Sequence, residues 1–224
     1  IALRWYADQK LADFSSIMLD EFHERRWDMD LILALLRADE RRMVLTSATF
    51  AGPELAGYIQ GGILCAEEPS YPVRTWYSED TVLPQSKHLD QRVAKAVGQI
   101  QEQCPEGDIL VFLPGRGEIQ GAKALLDKHL PPERVIGLHA SIDTATQDAV
   151  LAPSSKQRVI LATNVAETSL TLPSVLAVVD SGLERRTFRR NGRTVLGLSV
   201  ISQASADQRA GRAGRLGPGL CLRL

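Results

Sequence analysis

The sequence has few cysteines and no long apolar run, and these shortages exclude several classes of protein. Its 224 residues include three cysteines, which lie too far apart for a metal-ligand spacing. Because their number is odd, any disulfide scheme would leave one thiol unpaired. This favours a reducing cytoplasm. The longest apolar run, 31–36, is too short to span a bilayer. No charged-then-apolar leader opens the chain, so we expect neither a membrane protein nor a secreted one.

The sequence also lacks the basic excess that is common among nucleic-acid-binding proteins. Lys and Arg total 26 against 27 Asp and Glu, and the net charge of −1 argues mildly against a nucleic-acid partner. The charge is uneven, however, because 184–193 contain five arginines and one acid, and 209–223 contain four arginines and no acid. A solvated face explains such clusters as readily as a functional surface does.

What the sequence does contain is an alternation of short apolar runs with helical stretches. Apolar residues make up 44% and charged residues 24%, as in globular proteins with a core. Strand–helix alternation predicts an α/β fold with a parallel sheet covered on both faces. The predicted strands are 16–19, 43–46, 109–113, 134–138, 158–162 and 175–179, and the predicted helices are 29–37, 91–103, 117–129 and 144–151.

Residues 67–85 interrupt this alternation and predict a connection between two sheets. They contain three prolines, several polar residues and one short β-rich piece, 73–77. We therefore predict two tandem domains, 1–68 and 85–224, with a linker and the first strand of the second domain in 69–84. The first domain is thin for a doubly wound sheet, because it offers only two or three strands.

A second irregular stretch predicts an arginine-rich β-hairpin. Segments 185–189 and 193–199 flank Asn191-Gly192. An Asn-Gly pair between two β-rich segments is the strongest short hairpin signal in a sequence. We expect this hairpin to project from the second sheet.

Two carboxylates follow the first predicted strand. Asp20 and Glu21 come directly after the apolar strand, and ligands in open α/β sheets bind at the carboxyl ends of strands. An acid in this position holds Mg²⁺ in P-loop NTPases, and a second carboxylate beside it can polarise an attacking water. The alternative is a helix N-terminus that Asp20 caps.

Small polar side chains follow two other strands. Ser47 and Thr49 come after the second predicted strand, where hydroxyls can bond to a neighbouring carboxylate or cap the following turn. Segment 162–171 can present hydroxyls and backbone N–H groups to phosphates, although a plain polar loop accounts for it as well.

Segment 208–215 combines arginines with glycines at a helical spacing. The arginines recur every three residues, so on a helix they would share one side: Arg209, Arg212 and Arg215. Gly211 and Gly214 would each cost a helix about 1 kcal/mol, so we expect another group to approach closely there. Rigidly held arginines suit the planar recognition of a phosphate.

Together these segments resemble the motifs of superfamily 2 helicases, and their residues are similar to those of the DEAH-box RNA helicases. Phe22 in place of the usual alanine, followed by Glu24-Arg25, is most similar to the bacterial HrpB subgroup. The resemblance covers nearly the whole chain. The matching segments, in the order of motifs II to VI, are Asp20-Glu21-Phe22-His23, Ser47-Ala48-Thr49, 109–115 with Glu118-Ile119, 162–171 and 208–215.

The resemblance implies two RecA-like domains that share an ATP site, with ATP and Mg²⁺ as cofactors. Asp20 and Glu21 would form the Mg²⁺ site, with Asp20 holding the ion, and Glu21 would also orient and deprotonate the attacking water. The other implied residues are His23 and Gln208, which would bond to each other, Ser169 at the γ-phosphate, Leu151 and Asp180 on the nucleotide, and Arg212 and Arg215 as arginine fingers.

The resemblance also implies a monomeric motor that couples ATP hydrolysis to movement along single-stranded nucleic acid, RNA in this family. Ser47 and Thr49 would couple the carboxylates to domain movement. The predicted hairpin resembles the family's strand-separating hairpin. The residues expected to contact nucleic acid are Gly115, Thr163, Asn164, Thr171, Arg185, Arg186, Arg189 and Arg190.

The sequence departs from the family pattern in three places. No Gly-x-x-x-x-Gly-Lys-Ser/Thr loop occurs, so we expect a fragment that hydrolyses no ATP by itself, because the phosphates lack their cradle and lysine. Pro114 replaces a frequent threonine, and Leu151 cannot stack on adenine as an aromatic residue does. Two alternatives stay open, a non-catalytic ATP-dependent scaffold and a helicase acting on DNA.

Overall fold

The computed structural model describes residues 2–24, 27–47, 52–66, 71–80, 82, 84–139, 142–167, 172–190 and 193–224. The chain divides into two units, Ile1–Glu67 and Glu68–Leu224. Among the residues that the structure describes, no helix is long and apolar enough to cross a membrane.

The first unit is built around a two-stranded parallel sheet. Its α-helices are α1 (Ala2–Ala7), α2 (Trp27–Ala38) and α3 (Gly52–Ile59), and its strands are β1 (Ile17–Leu19) and β2 (Met43–Leu45). Leu19 lies opposite Leu45 in the parallel pairing of β1 with β2. A short 3₁₀ helix, Phe22–Glu24, follows β1 and leads towards α2.

One face of α2 forms the core of this unit. Ile32, Leu33 and Leu36 recur at helical spacing and are buried together with Leu19 and Phe22. Because Leu19 and Phe22 bracket residues 20 and 21, this packing fixes the turn that follows β1.

The second unit contains a six-stranded parallel sheet and a two-stranded antiparallel hairpin. Its strands are β3 (Val73–Tyr77), β4 (Asp108–Phe112), β5 (Val135–Leu138), β6 (Val159–Ala162), β7 (Val175–Asp180), β8 (Leu183–Arg190), β9 (Arg193–Val200) and β10 (Gly219–Arg223). Its α-helices are α4 (Leu89–Gln103), α5 (Arg116–Leu126), α6 (Thr144–Leu151) and α7 (Gln203–Gly211). The large sheet has the order β3-β10-β7-β4-β6-β5, and β8 pairs with β9.

Apolar clusters cover both faces of the large sheet. In β4, Ile109 and Val111 point to the cluster that includes α4 and α5, whereas Leu110 and Phe112 belong to the cluster on the other face. A strand buried on both faces is apolar over most of its length, which explains the apolar runs in the sequence. The predicted α/β fold with a parallel sheet is therefore confirmed.

Several predicted elements have the observed bounds, and others were missed. The β-rich piece 73–77 is β3, the helix predicted at 144–151 is α6, and the arginine-rich hairpin is β8 with β9. The Asn-Gly pair that predicted its turn lies outside the described residues. The sequence did not predict α1, α3 or β10, and β10 is a central strand, between β3 and β7.

The three cysteines differ in accessibility, and this predicts different reactivities. Cys65 is exposed and Cys221 is buried in β10. Burial, reinforced by the charge of Asp180, raises the pKa of the Cys221 thiol to about 12. At pH 8 about one such thiol in ten thousand is ionised, so we expect a disulfide reagent to label Cys65 rapidly and Cys221 only after unfolding.

The measurement is a thiol titration of the chain with and without denaturant, with Cys65→Ser as the control that removes the fast phase. Equal labelling rates for all three thiols in the folded protein would contradict the burial of Cys221.

Candidate functional site

The turn after β1 holds Asp20 in a fixed orientation. The N–H of Thr46 donates to the Leu19 carbonyl at 3.0 Å, and the N–H of Phe22 donates to the Thr46 carbonyl at 2.9 Å. The Thr46 hydroxyl donates to Asp20 Oδ1, and the N–H of Glu21 donates to the same oxygen at 3.0 Å. One carboxylate oxygen is therefore held by the two strand ends.

Thr46 is a residue that the sequence reasoning missed. For the hydroxyls after the second strand, at Ser47 and Thr49, the sequence left two alternatives, a bond to a neighbouring carboxylate or a cap of the following turn. In the parallel pairing Leu19 lies opposite Leu45, so the next residues of the two segments, Asp20 and Thr46, lie side by side. No single segment of the sequence contains that register, because it depends on the pairing of two strands that lie far apart in the chain.

Glu21 has an unusual backbone conformation beside a histidine. Its φ is 52°, in the left-handed region, which costs a residue with a Cβ about 1–2 kcal/mol. Its Oε2 lies 3.3 Å from His23 Nε2, and the side chains are 42% and 10% exposed respectively. Strained residues cluster at functional sites, where the surrounding structure holds them in place.

The residues at this turn fit a magnesium ion. Asp20 is exposed, and its Oδ2 accepts no hydrogen bond from the described residues. Mg²⁺ commonly keeps several waters and takes only one or two carboxylates from the protein, with phosphate oxygens completing the set. The part of the chain that the structure describes has no group of three or more His, Cys, Asp or Glu that could hold a metal. The predicted pair, Asp20 and Glu21, matches the one or two carboxylates that Mg²⁺ takes from a protein.

Three of the predicted site residues fall outside the described residues. They are Thr49, Ser169 and Thr171, and of Arg190 only the backbone is described. Ser47 directly follows Thr46 and is described.

In the second unit, predicted residues gather at the carboxyl edge of the large sheet. Asp180 is the last residue of β7, Thr163 follows β6, and Gly115 lies just beyond β4. Thr163 is half-buried and Asn164 is exposed at the start of a 3₁₀ turn. Leu151 ends α6 and packs, half-buried, against the apolar cluster on that face.

Asp180 is buried in an ion-pair network around Arg209. Both side chains are 1% exposed, and Arg209 Nη1 donates to Asp180 Oδ1 at 2.9 Å. Arg209 Nε donates to Glu167 Oε2 at 2.9 Å, and the guanidinium carbon lies 4.9 Å from the centre of the Phe112 ring. Asp180 therefore faces Arg209 in the interior, and its exposure leaves almost no surface for a nucleotide.

The three arginines of segment 208–215 have different environments. The α-helix α7 ends at Gly211, and a 3₁₀ turn, Arg212–Gly214, continues it. Arg209 is buried, Arg212 is 7% exposed and donates to the Glu167 carbonyl, and Arg215 is exposed. Gln208, half-buried, precedes Arg209 on α7. Because their exposures differ, the three arginines do not form one uniformly exposed surface.

The close approach expected at the glycines occurs at only one of them. A Cβ on Gly214 would lie 2.6 Å from the Tyr71 carbonyl oxygen, and the Tyr71 N–H donates to the Gly214 carbonyl at 2.9 Å. A Cβ on Gly211 would meet no atom within 4 Å. Gly214 therefore serves the packing of the chain just before β3.

The hairpin arginines have different environments. Arg185 Nη2 donates to Glu118 Oε1 at 2.9 Å, and Arg186 Nε lies 3.1 Å from Glu184 Oε1 on its own strand. Arg189 is exposed. The strand pairing puts arginines and apolar side chains on one face, where Arg185, Thr187 and Arg189 lie opposite Leu198, Leu196 and Thr194.

The chain is similar to known helicases over nearly its whole length. A family model described as the helicase conserved C-terminal domain matches residues 91–217. The ATP-dependent RNA helicase HrpB of Escherichia coli is 38% identical over 97% of this chain and 28% of its own length. The ATP-dependent RNA helicase HrpA homolog of Haemophilus influenzae is 36% identical over 97% of this chain and 17% of its own length.

A solved structure agrees with these sequence matches. The crystal structure of the Escherichia coli DEAH/RHA helicase HrpB superposes with a TM-score of 0.86 at 36% identity, and covers 100% of this chain and 30% of that chain. This chain therefore spans less than a third of the length of each of these relatives.

Proposed function

The chain belongs to the helicases that carry the helicase conserved C-terminal domain, and from that membership we propose that it forms much of the motor of an ATP-dependent DEAH-box RNA helicase. In this proposal 1–68 belong to the first RecA-like domain, 85–224 to the second, and 69–84 join them. The named activity of the relatives supports an ATP-driven reaction on RNA. The longer polypeptide would couple ATP hydrolysis to movement along one strand.

The observation that carries the proposal is the turn after β1. Thr46 and the Glu21 N–H fix one oxygen of Asp20, while the other oxygen is available to a hydrated Mg²⁺. The ion would neutralise charge on the phosphates. Glu21 would accept the proton of the attacking water, and His23 at 3.3 Å would orient the Glu21 carboxylate. Gln208 would be the partner of His23 in the second unit.

The second unit would supply the positive charge that faces the γ-phosphate. Arg215 is exposed and would reach the γ-phosphate directly, whereas Arg212 would exchange its contact with the Glu167 carbonyl for the phosphate. Asp180 would act through the buried Arg209, which holds Glu167 beside Arg212. Ser169 would sense the γ-phosphate, Thr49 and Ser47 would couple the carboxylates to domain movement, and Leu151 would lie near the adenine.

RNA would be held through its backbone at the carboxyl edge of the large sheet. Thr163, Asn164, Thr171 and the backbone near Gly115 would contact phosphates and sugars. One face of the hairpin combines Arg185 and Arg189 with two leucines, Leu196, which is 62% exposed, and Leu198, which is 39% exposed. Such a face suits the binding of an unpaired nucleic-acid strand. Arg186 lies on the opposite hairpin face, and Arg190 is also proposed to contact the nucleic acid. Binding is expected to weaken with salt and to depend little on sequence.

The test is the ATPase activity of the full-length protein with RNA, with DNA and with neither. We expect RNA to raise the rate about tenfold, because site-to-site coupling of 1–3 kcal/mol is typical of such systems. The 224-residue chain alone serves as a control, and it should hydrolyse no ATP because it contains no phosphate-binding loop motif.

Other outcomes separate the alternatives. Stimulation by DNA but not RNA would assign a DNA substrate. ATP binding without hydrolysis in any condition would support a non-catalytic scaffold and reject the motor.

A further inference from the structure

Glu118 joins three separate segments of the second unit. It lies in the first turn of α5, and its Oε1 accepts hydrogen bonds from the Ser86 hydroxyl at 2.8 Å and from Arg185 Nη2 at 2.9 Å. Ser86 precedes α4, and Arg185 is the third residue of β8. The Glu118 side chain is 8% exposed, whereas Ser86 and Arg185 are accessible to water, so a largely buried carboxylate holds two groups at the surface.

The surroundings of Glu118 fix the position of Arg185. A Cβ on Gly115 would lie 2.8 Å from Arg185 Nε and 3.0 Å from Glu118 Oε2, so a side chain at residue 115 would displace the Arg185 guanidinium from this position. Arg185 is nevertheless 37% exposed, in contrast to Arg209 at 1%. Its guanidinium is thus anchored on one side and open to solvent on the other.

The charge of Glu118 is maintained despite its burial. Burial by itself would raise the pKa of the Glu118 carboxyl, but the Ser86 hydrogen bond and the Arg185 charge bring that pKa below its ordinary value. An ionised carboxylate in this setting forms a stronger hydrogen bond to a guanidinium than a neutral group would. Of the ion pairs described for β8 and β9, the pair of Arg185 with Glu118 connects the hairpin to α5, whereas the pair of Arg186 with Glu184 lies within β8.

We propose that Glu118 is a positioning residue for strand separation, which rests on the proposed helicase function. By fixing Arg185 at the base of β8, it sets the hairpin at a constant angle to the sheet edge where Thr163 and Asn164 lie. A hairpin held at a constant angle can block the displaced strand while the other strand is pulled along. A hairpin without this anchor would move aside when the displaced strand presses on it. ATP hydrolysis, which uses other residues, does not depend on this anchor.

The experiment compares strand unwinding with RNA-stimulated ATPase in the full-length Glu118→Gln variant. The amide keeps the size of the side chain and can still accept from Ser86, but it loses the charge that holds Arg185. We expect the unwinding rate to fall about tenfold while the ATPase rate stays within about twofold of the wild type.

Two controls separate positioning from folding. Glu184→Gln removes the exposed pair with Arg186 and should leave both rates unchanged. The double variant Glu118→Gln with Arg185→Gln should unwind no more slowly than Arg185→Gln alone, because Glu118 acts through Arg185. Thermal unfolding of each variant shows whether the second unit remains folded.

The outcomes are distinct. A parallel loss of unwinding and ATPase, or no loss of either, would overturn the role of Glu118. Additive losses in the double variant would also overturn it. A wild-type protein that hydrolyses ATP without unwinding any duplex would instead reject the helicase function on which the role rests.

Discussion

Replacing Glu21 by glutamine should slow ATP hydrolysis by the full-length protein about a hundred- to ten-thousandfold, the usual contribution of a general base. The amide cannot accept a proton from water, although it preserves the size of the side chain beside His23. Binding of ATP and RNA should persist, because in the proposed site other residues hold the phosphates and the RNA backbone. Steady-state ATPase rates with saturating RNA, together with nucleotide-binding measurements, check both parts.

Glu40 offers a matched control for this substitution. It is a glutamate of the same unit with nearly the same left-handed backbone, φ 50°, but it is exposed just after α2, away from the strand end. Glu40→Gln should leave the ATPase rate unchanged. Unaltered hydrolysis in Glu21→Gln would contradict the motor and favour a non-catalytic scaffold.

Replacing Arg209 by methionine should destabilise the second unit by about 3–5 kcal/mol. The substitution leaves the buried Asp180 carboxylate without its cation, and an uncompensated buried charge is expensive. For a domain of this size each kcal/mol lowers the melting temperature by about 2–4 °C, so a fall near 10 °C is expected. Calorimetry or urea unfolding of the 224-residue chain measures the change.

Arg215 is the matched control, because it is an arginine of the same segment but is exposed. Arg215→Met should change stability by less than about 0.5 kcal/mol. Adding Asp180→Asn to Arg209→Met should recover part of the loss, since the unpaired charge is its origin. A loss below about 1 kcal/mol in Arg209→Met would show that the network contributes little to stability.

The carboxyl-edge positions could be predicted because local patterns determine them. The strand before Asp20, the strands before Thr163 and Asp180, and the Asn-Gly hairpin each follow from a run of apolar residues and its end. Strand β10 could not be predicted in the same way. Its pairing with β3 and β7 depends on residues far away in the chain, and its five residues carry no turn signal of their own.

The roles of the arginines needed the structure. In the sequence Arg209, Arg212 and Arg215 are equivalent, because each follows the last by three residues. Their burial differs. The carboxylates of Asp180 and Glu167 hold the Arg209 side chain in the interior, Arg212 donates to the Glu167 carbonyl, and Arg215 is exposed. The contact of Thr46 with Asp20 likewise depends on the register of β1 with β2, which no single segment contains.

The position of β10 has a consequence for synthesis on the ribosome. Strand β3 is hydrogen-bonded to β10 and to no other described strand, so it has no partner until residues 219–223 have left the exit tunnel. Until then the edge of β7 is also unpaired, and exposed edges of this kind recruit other chains. Because the chain is synthesised from its N-terminus, the second unit cannot complete its sheet until nearly all of its residues have been made. A pause in translation shortly before Gly219 would therefore favour capture by chaperones over folding.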